Sequence, residues 1–307
     1  MATAYITHPD CLLHESGEVH PESSSRLRAI NDQLIASRLM DLLRYYNAPL
    51  ASREQLCRVH PPAYLDRLAA RAPEEGLVML DPDTFIGPHS LQAAYRAAGA
   101  AVQAVDLVTA GDVQNAFCAV RPPGHHAESE RAMGFCLFNN IAVGVAHALE
   151  HHGFERVAVL DFDVHHGNGT EKIFRNDERV LLCSTFQHPF YPFTDLDDSP
   201  SNIIHAPLRG GSKGEDLQRA VRELWLPELE SFRPQFIFVS AGFDGHVEDD
   251  MSDLVLVDGD YAALTEQIMA VAAHHAGGRI VSALEGGYAL EALGRSVAAH
   301  IRVMMGV

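Results

Sequence analysis

The sequence predicts an α/β protein built on a parallel sheet, and three observations carry that prediction. Short apolar runs alternate with longer stretches of helical periodicity through most of the chain. The runs are apolar at consecutive positions rather than at every second one, as strands covered on both faces must be. Four of them end in polar or glycine-rich motifs, and open α/β sheets place their ligands at the carboxyl ends of their strands.

Taken in order, Ala4-Tyr5-Ile6 reads as the first strand, followed by a polar loop with several histidines and Pro21. Ser23–Leu39 has apolar residues at Leu27, Ile30, Leu34 and Ile35, a helical spacing. Pro61 and Pro62 open a short helix through Ala70. Ala72–His89, rich in Pro, Gly and Asp, reads as a long surface loop. Ser90–Ala110 is alanine-rich and strongly helical, and Gly111 ends it. The later strand runs are Phe117–Val120, Val157–Leu160, Val180–Ser184, Phe236–Val239 and Ile280–Leu284. Helices are predicted at Asn139–His151, Glu215–Phe232, Asp258–His275 and Leu290–Val303. No linker, composition shift or repeat divides the chain, so residues 1–307 form one predicted domain.

Of the 307 residues, 47% are hydrophobic and 21% charged, the balance of a soluble globular protein with a real core. Acidic residues outnumber basic ones 41 to 23, for a formal charge of −18. Such a surface repels phosphate backbones, so direct nucleic-acid binding is not expected, while cationic substrates are attracted. Acidity that merely keeps the protein soluble accounts equally well for the charge. Cys11, Cys57, Cys118, Cys136 and Cys183 are widely spaced and form no CxxC pair, which points to reduced thiols and a cytoplasmic location. The stretch MATAYITHPD lacks the features of a signal peptide. No apolar run reaches the ~18 residues of a membrane span, so no membrane partner is expected.

The chemistry collects at the strand ends. FCAV leads into RPPGHHA, with His125 and His126; VAVL leads into DFDVHHGNG; FIFVS leads into AGFDGH, with Asp244; IVSAL leads into EGGY, with Tyr288. On a parallel sheet these ends share one edge, so the motifs converge although they are far apart in sequence. In an extended chain side chains two apart share a face, which aligns Asp161, Asp163 and His165. Asp163 and His165 with the distant Asp244 supply three nitrogen or oxygen ligands and leave a position open, the pattern of a catalytic metal site. Zinc suits such a set, and Fe(II) or Co(II) would also be taken. Two carboxylates formally cancel a divalent charge, so a bound water is less acidified and a separate general base becomes useful. Any one of these residues alone would read as a solvated or capping side chain; the convergence is what makes a site.

Arg121-Pro122-Pro123-Gly124 is a stiff turn that presents His125 and His126. A base poised near neutrality needs an orienting partner on its other ring nitrogen, and Asp161 and Asn168 are the available neighbours. Tyr288, after two glycines, is placed to hydrogen-bond a developing oxyanion, or is an ordinary buried tyrosine beside a tight turn. His151-His152 and His274-His275 fall on helical stretches and read as surface decoration. There is no GxSxG elbow, no GxGxxG and no P-loop.

Together these motifs resemble the zinc-dependent histone deacetylase family in its bacterial, class II-like branch, a superfamily that includes acetylpolyamine amidohydrolases. The similarity runs from roughly His8 to His300 through HPE, RPPGHHA, GFCLFNN, DFDVHHGNGT, SAGFDGH and EGGY. The resemblance implies an arginase-like three-layer α/β/α fold with one mainly parallel sheet of about eight strands, and hydrolysis of an N-acetyl amide to an amine and acetate. It implies zinc on Asp163, His165 and Asp244, with His126 as proton shuttle and His125 as its electrostatic partner. Asp161 then stands behind His125, Asn168 behind His126, and Tyr288 polarises the acetyl carbonyl. Phe135 and Tyr191 match opposite walls of an acyl-lysine tunnel, Gly134 offers its carbonyl to the substrate amide, and Asp83 aligns loosely with a rim residue. Asp161, Asp163, His165 and Ser184 resemble the family's inner potassium site.

Two departures qualify the likeness. Phe190–Asn202 lacks the family's glycine-rich turn, so the tunnel rim is expected to differ. The gatekeeper position holds Met251, apolar where one polyamine-specific branch carries glutamate, beside the acidic Glu248, Asp249 and Asp250. Three readings follow: removal of acetyl or related acyl groups from lysine-like amines; the same chemistry on acetylpolyamines or other small acyl amines; and an inactive acyl-lysine or partner-binding module. Retention of the ligands, the histidine pair and Tyr288 weighs against the last.

Overall fold

The computed structural model describes residues 2–196 and 199–307. Among the described residues the ten strands are β1 (Thr3–Thr7), β2 (Arg44–Asn47), β3 (Val78–Asp81), β4 (Thr84–Ile86), β5 (Asn115–Cys118), β6 (Val157–Asp161), β7 (Val180–Gln187), β8 (Ile203–Leu208), β9 (Phe236–Ala241) and β10 (Ile280–Leu284). Eight of them form one sheet in the order β2-β1-β5-β10-β9-β6-β7-β8, with every pairing parallel. The helices Ser90–Ala110 and Asn140–Glu150 pack together against it, and Ser25–Ala36, Leu290–Met305 and Asp258–His275 form a second packed group. The result is the three-layer α/β/α architecture the motifs imply.

The five apolar runs all become strands because each is buried along its full length, and a strand covered on both faces must be apolar throughout. The two sheet edges escape that logic. β2 is mostly exposed and reads RYYN; β8 reads IIHAPL, with Pro207 tolerated on an edge. Neither has the continuous apolar run that marks the interior strands.

Two expectations are corrected. Within Ala72–His89 the chain is not all loop: β3 and β4 pair antiparallel as a hairpin around Pro82-Asp83, and Thr84 and Ile86 are buried. Strands of four and three residues are too short for alternation to show. The helix predicted over Glu215–Phe232 is interrupted by a π turn at Val221–Trp225. Pro227 lacks an N–H and its ring would strike the carbonyl four residues back, a conflict that the wider π turn relieves.

Candidate active site

β5, β10, β9 and β6 are consecutive in the sheet, and they are the four strands whose carboxyl ends carry the motifs. Parallel pairing puts those ends on one edge. There Asp163 Oδ1 lies 3.1 Å from His165 Nδ1, and Asp244 Oδ2 lies 3.2 Å from the same nitrogen. All three residues are buried, and among the described residues they are the one potential metal-binding group buried throughout. Their remaining oxygens are occupied by backbone: Asp163 Oδ2 accepts from Gly286 N at 2.8 Å and Asp244 Oδ1 from Val164 N at 3.1 Å. The approach is so close that a Cβ on Gly286 would strike both carboxylates.

These residues fit a divalent cation. Asp244 Oδ2 is fully buried, and its one polar neighbour of opposite character is His165 Nδ1, 3.2 Å away and already shared with Asp163 Oδ1, which leaves a carboxylate oxygen poorly satisfied. Burial and the charge of Asp163 push the Asp244 carboxyl up to about 6, the strain of two carboxylates sharing a site. Ligand atoms about 3.3 Å apart are also the edges of a tetrahedron with bonds of roughly 2.0 Å, the length zinc makes to nitrogen and oxygen.

The histidine pair is divided by its partners. His125 Nδ1 donates to Asp161 Oδ2 at 3.0 Å; burial disfavours the imidazolium, but Asp161 and Asp163 outweigh it and hold the ring protonated, its pKa raised to about 10. His126 Nδ1 lies 2.8 Å from Asn168 Oδ1. The Asn168 amide nitrogen is committed to Glu128 Oε1 at 3.4 Å, so its oxygen faces the ring and His126 Nδ1 must carry the proton. That leaves Nε2 with a free lone pair. Burial, together with the nearby His125 and His165, keeps His126 neutral, its pKa well below the usual range. Adjacent groups driven apart in this way are what acid–base division requires. Tyr288 is half-buried in the cavity wall, and desolvation there raises its hydroxyl well above the ordinary range and keeps it a donor.

A cavity of about 290 Å3 opens over these groups. Its wall includes His125, His126, His165 and Tyr288, together with Asp83, Gly134, Phe135, Tyr191 and Met251. Asp161, Asp163, Asp244 and Asn168 lie behind it. Ser184 sits deeper, opposite Asp161 in the β6–β7 register, with its Oγ 3.0 Å from His166 Nδ1. His166 Nε2 is tied to Glu171 at 2.7 Å, so Nδ1 accepts from Ser184 and the serine lone pairs stay free. Phe135 and Tyr288 meet edge to face at 5.9 Å. Gly134 has φ +55, and a Cβ there would strike the His126 ring. Its carbonyl already accepts the Cys136 thiol at 3.1 Å. The β3–β4 hairpin props this wall: Thr84 Oγ1 accepts from Phe135 N at 3.0 Å and Asp83 Oδ1 from Gly134 N at 3.3 Å. The rim segment Phe190–Asn202 includes Asp197 and Asp198, which lie outside the described residues.

Sequence reasoning missed several residues. Phe190 lines the cavity beside Tyr191 and stacks on His165 at 5.5 Å. Glu285, read only as part of EGGY, accepts from Gly124 N at 2.6 Å and His125 N at 3.1 Å and so fixes the histidine turn. Glu22 of HPE pairs with Arg121 and Arg26, all three buried. Arg26 in turn donates to Gly287 O at 2.6 Å and to Glu285 O, holding the tyrosine turn. Charges within HPE and RPP are visible in the sequence, but nothing local marks them as buried.

Comparison with known proteins identifies the family to which the chain belongs. The histone deacetylase domain family matches residues 20–304. A probable deacetylase of Archaeoglobus fulgidus is 38% identical over 302 residues, covering 95% of this chain and 82% of that protein. A histone deacetylase-like amidohydrolase of Pseudomonas aeruginosa is 41% identical over 276 residues, covering 88% of this chain and 72% of that protein. The crystal structure of the HDA15 HD domain superposes with a TM-score of 0.94 at 33% identity, covering 99% of this chain and 90% of that one. The chain belongs to the histone deacetylase family. It is a deacetylase, a hydrolase of amide bonds.

Proposed function

We propose that this protein removes acetyl or related acyl groups from lysine-like amines, using residues 1–307 as one catalytic domain. The observation that carries the reading is a neutral, Asn168-oriented His126 and a protonated Tyr288 facing one narrow cavity above Asp163, His165 and Asp244. Phe135, Phe190 and Met251 give that cavity an apolar wall suited to an aliphatic chain. Asp163, His165 and Asp244 would hold one zinc ion, which when bound polarises the acyl carbonyl and acidifies water. His126 Nε2 takes a proton from the attacking water as the new C–O bond forms. Tyr288 donates to the carbonyl oxygen as negative charge develops there. His125, held protonated by Asp161, stabilises that charge through space. The C–N bond then breaks, the amine nitrogen receives the proton held on His126, and acetate is released. Asp161, Asp163, His165 and Ser184 are assigned to a potassium ion, a role supported by the free lone pairs of Ser184.

One observation favours a second substrate class. Asp250 lines the cavity beside Met251, and with Asp83 it places two carboxylates where a cationic acyl amine such as an acetylpolyamine would enter. Acetate release from an acetyl-lysine peptide, acetylputrescine and acetylspermidine separates the classes. A kcat/KM highest on the peptide supports the first reading, and one highest on the polyamines replaces it. Five free cysteines, four of them buried, support a reducing, cytoplasmic setting. Among the described residues no helix is long and apolar enough to cross a membrane.

A further inference from the structure

Away from the cavity, one cluster collects metal-binding side chains that the reaction does not use. The helix Asn140–Glu150 carries His147, its C-terminal end continues into His151 and His152, and Asp106 faces them from the helix Ser90–Ala110. His147 and His151 are four apart, the spacing that puts two imidazoles on one helical face. Their rings stack at 4.7 Å, and His152 stands edge-on to both at 5.2 and 4.9 Å. Asp106 Oδ1 lies 2.8 Å from His147 Nε2 and 2.7 Å from His152 Nε2. One ligand atom from each of the four residues lies within 4.8 Å of all the others.

We propose that Asp106, His147, His151 and His152 form a second metal site, taking zinc(II) or another divalent cation that prefers imidazole. Three imidazoles and a carboxylate make four protein ligands and leave no position open, the closed shell of a structural rather than a catalytic site. The carboxyl end of a helix is the negative end of its dipole and adds a favourable field. The present N···O spacings are those of hydrogen bonds; tetrahedral coordination needs donors roughly 3.3 Å apart, so the groups widen by about half an ångström. Asp106 and His151 are exposed and free to make that adjustment. One contact opposes it. Arg58 Nη1 donates to His147 Nδ1 at 2.9 Å while its other amino group pairs with Glu54 at 3.0 Å. A metal on His147 Nε2 places the ring proton on Nδ1, so Arg58 must give up that bond. The ion would tie the two helices together at one end of Asn140–Glu150. At the other end Asn140 Nδ2 donates to Pro122 O at 3.0 Å, inside the turn that carries His125 and His126.

The test is zinc stoichiometry on the untagged, full-length protein, stripped of metal, dialysed against zinc(II) and measured by mass spectrometry. The expected result is one zinc per chain fewer in His151→Ala/His152→Ala than in wild type, whatever number the catalytic centre contributes. The double variant, folded by circular dichroism, keeps deacetylase activity within twofold. Arg58→Ala retains the wild-type number and tightens the second site at least threefold. Equal zinc in wild type and the double variant overturns the proposal, as does an Arg58→Ala protein that binds no more tightly.

Discussion

Replacing Glu22 by glutamine tests how this active site is held together. The Glu22 side chain is fully buried, and its Oε2 accepts from Arg121 Nη2 at 2.6 Å while Oε1 meets Arg121 Nε and Arg26 Nη1. Burial alone would raise its pKa, but Arg121, His14 and Arg26 outweigh that and bring it down to about 2 from 4.5. At 1.36 kcal/mol per unit, the charged form is worth about 3 kcal/mol over a neutral isostere. Removing one partner from a buried ion cluster independently suggests roughly 3–5 kcal/mol. A chain of 307 residues has an unfolding entropy of roughly 0.6 kcal/mol/K, so Glu22→Gln should lower Tm by about 5 °C. Differential scanning calorimetry at pH 7 reads this directly. A Tm within 1 °C of wild type would mean that the cluster contributes no net stability and that the reasoning is wrong.

Other residues make independent predictions. Tyr288→Phe should lower kcat about 10²–10³-fold, the worth of one oxyanion donor, while Tm moves by less than 2 °C; near-normal turnover refutes its role. Asn168→Ala frees the His126 tautomer and should lower kcat tenfold to a hundredfold with KM little changed, measured by steady-state kinetics. His300 is buried among Phe117, Phe162 and Phe243, and burial pushes its pKa down to about 3. The unfolded imidazole binds a proton below about 6.5, whereas the folded one refuses it, so this residue loses stability as pH falls. Wild type should therefore lose about 2 kcal/mol of its advantage over His300→Gln between pH 7 and pH 5, read from urea denaturation at each pH; an unchanged advantage contradicts the assignment.

The parts legible in the sequence were those whose physics is local. β6, β9 and β10 announce themselves because burial on both faces demands unbroken apolar runs, and their polar ends mark the ligand edge. Asp161, Asp163 and His165 share a face by period alone, whereas Asn168, 42 residues from His126, is matched to it only through the resemblance. Glu22, Arg26, Arg121 and Glu285 were not legible as a group. Each acts by bridging segments far apart in the chain, and a charged residue in isolation reads as surface. Phe190 escaped for a related reason: adjacent residues on an extended chain face opposite ways, but the turn closed by Phe193 N on Phe190 O at 2.8 Å brings both Phe190 and Tyr191 to the cavity. The β3–β4 hairpin shows the same limit, being fixed by its contacts to Gly134 and Phe135.

The central claim is that Asp163, His165 and Asp244 hold the ion on which hydrolysis depends. Its most direct test is acetate release from an acetyl-lysine peptide by protein stripped with a chelator and then reloaded with zinc. Activity should fall to background on stripping and return in proportion to one zinc per chain at this centre, with Asp244→Asn neither binding that zinc nor recovering. Full activity in the stripped protein, or full recovery by Asp244→Asn, would contradict the account.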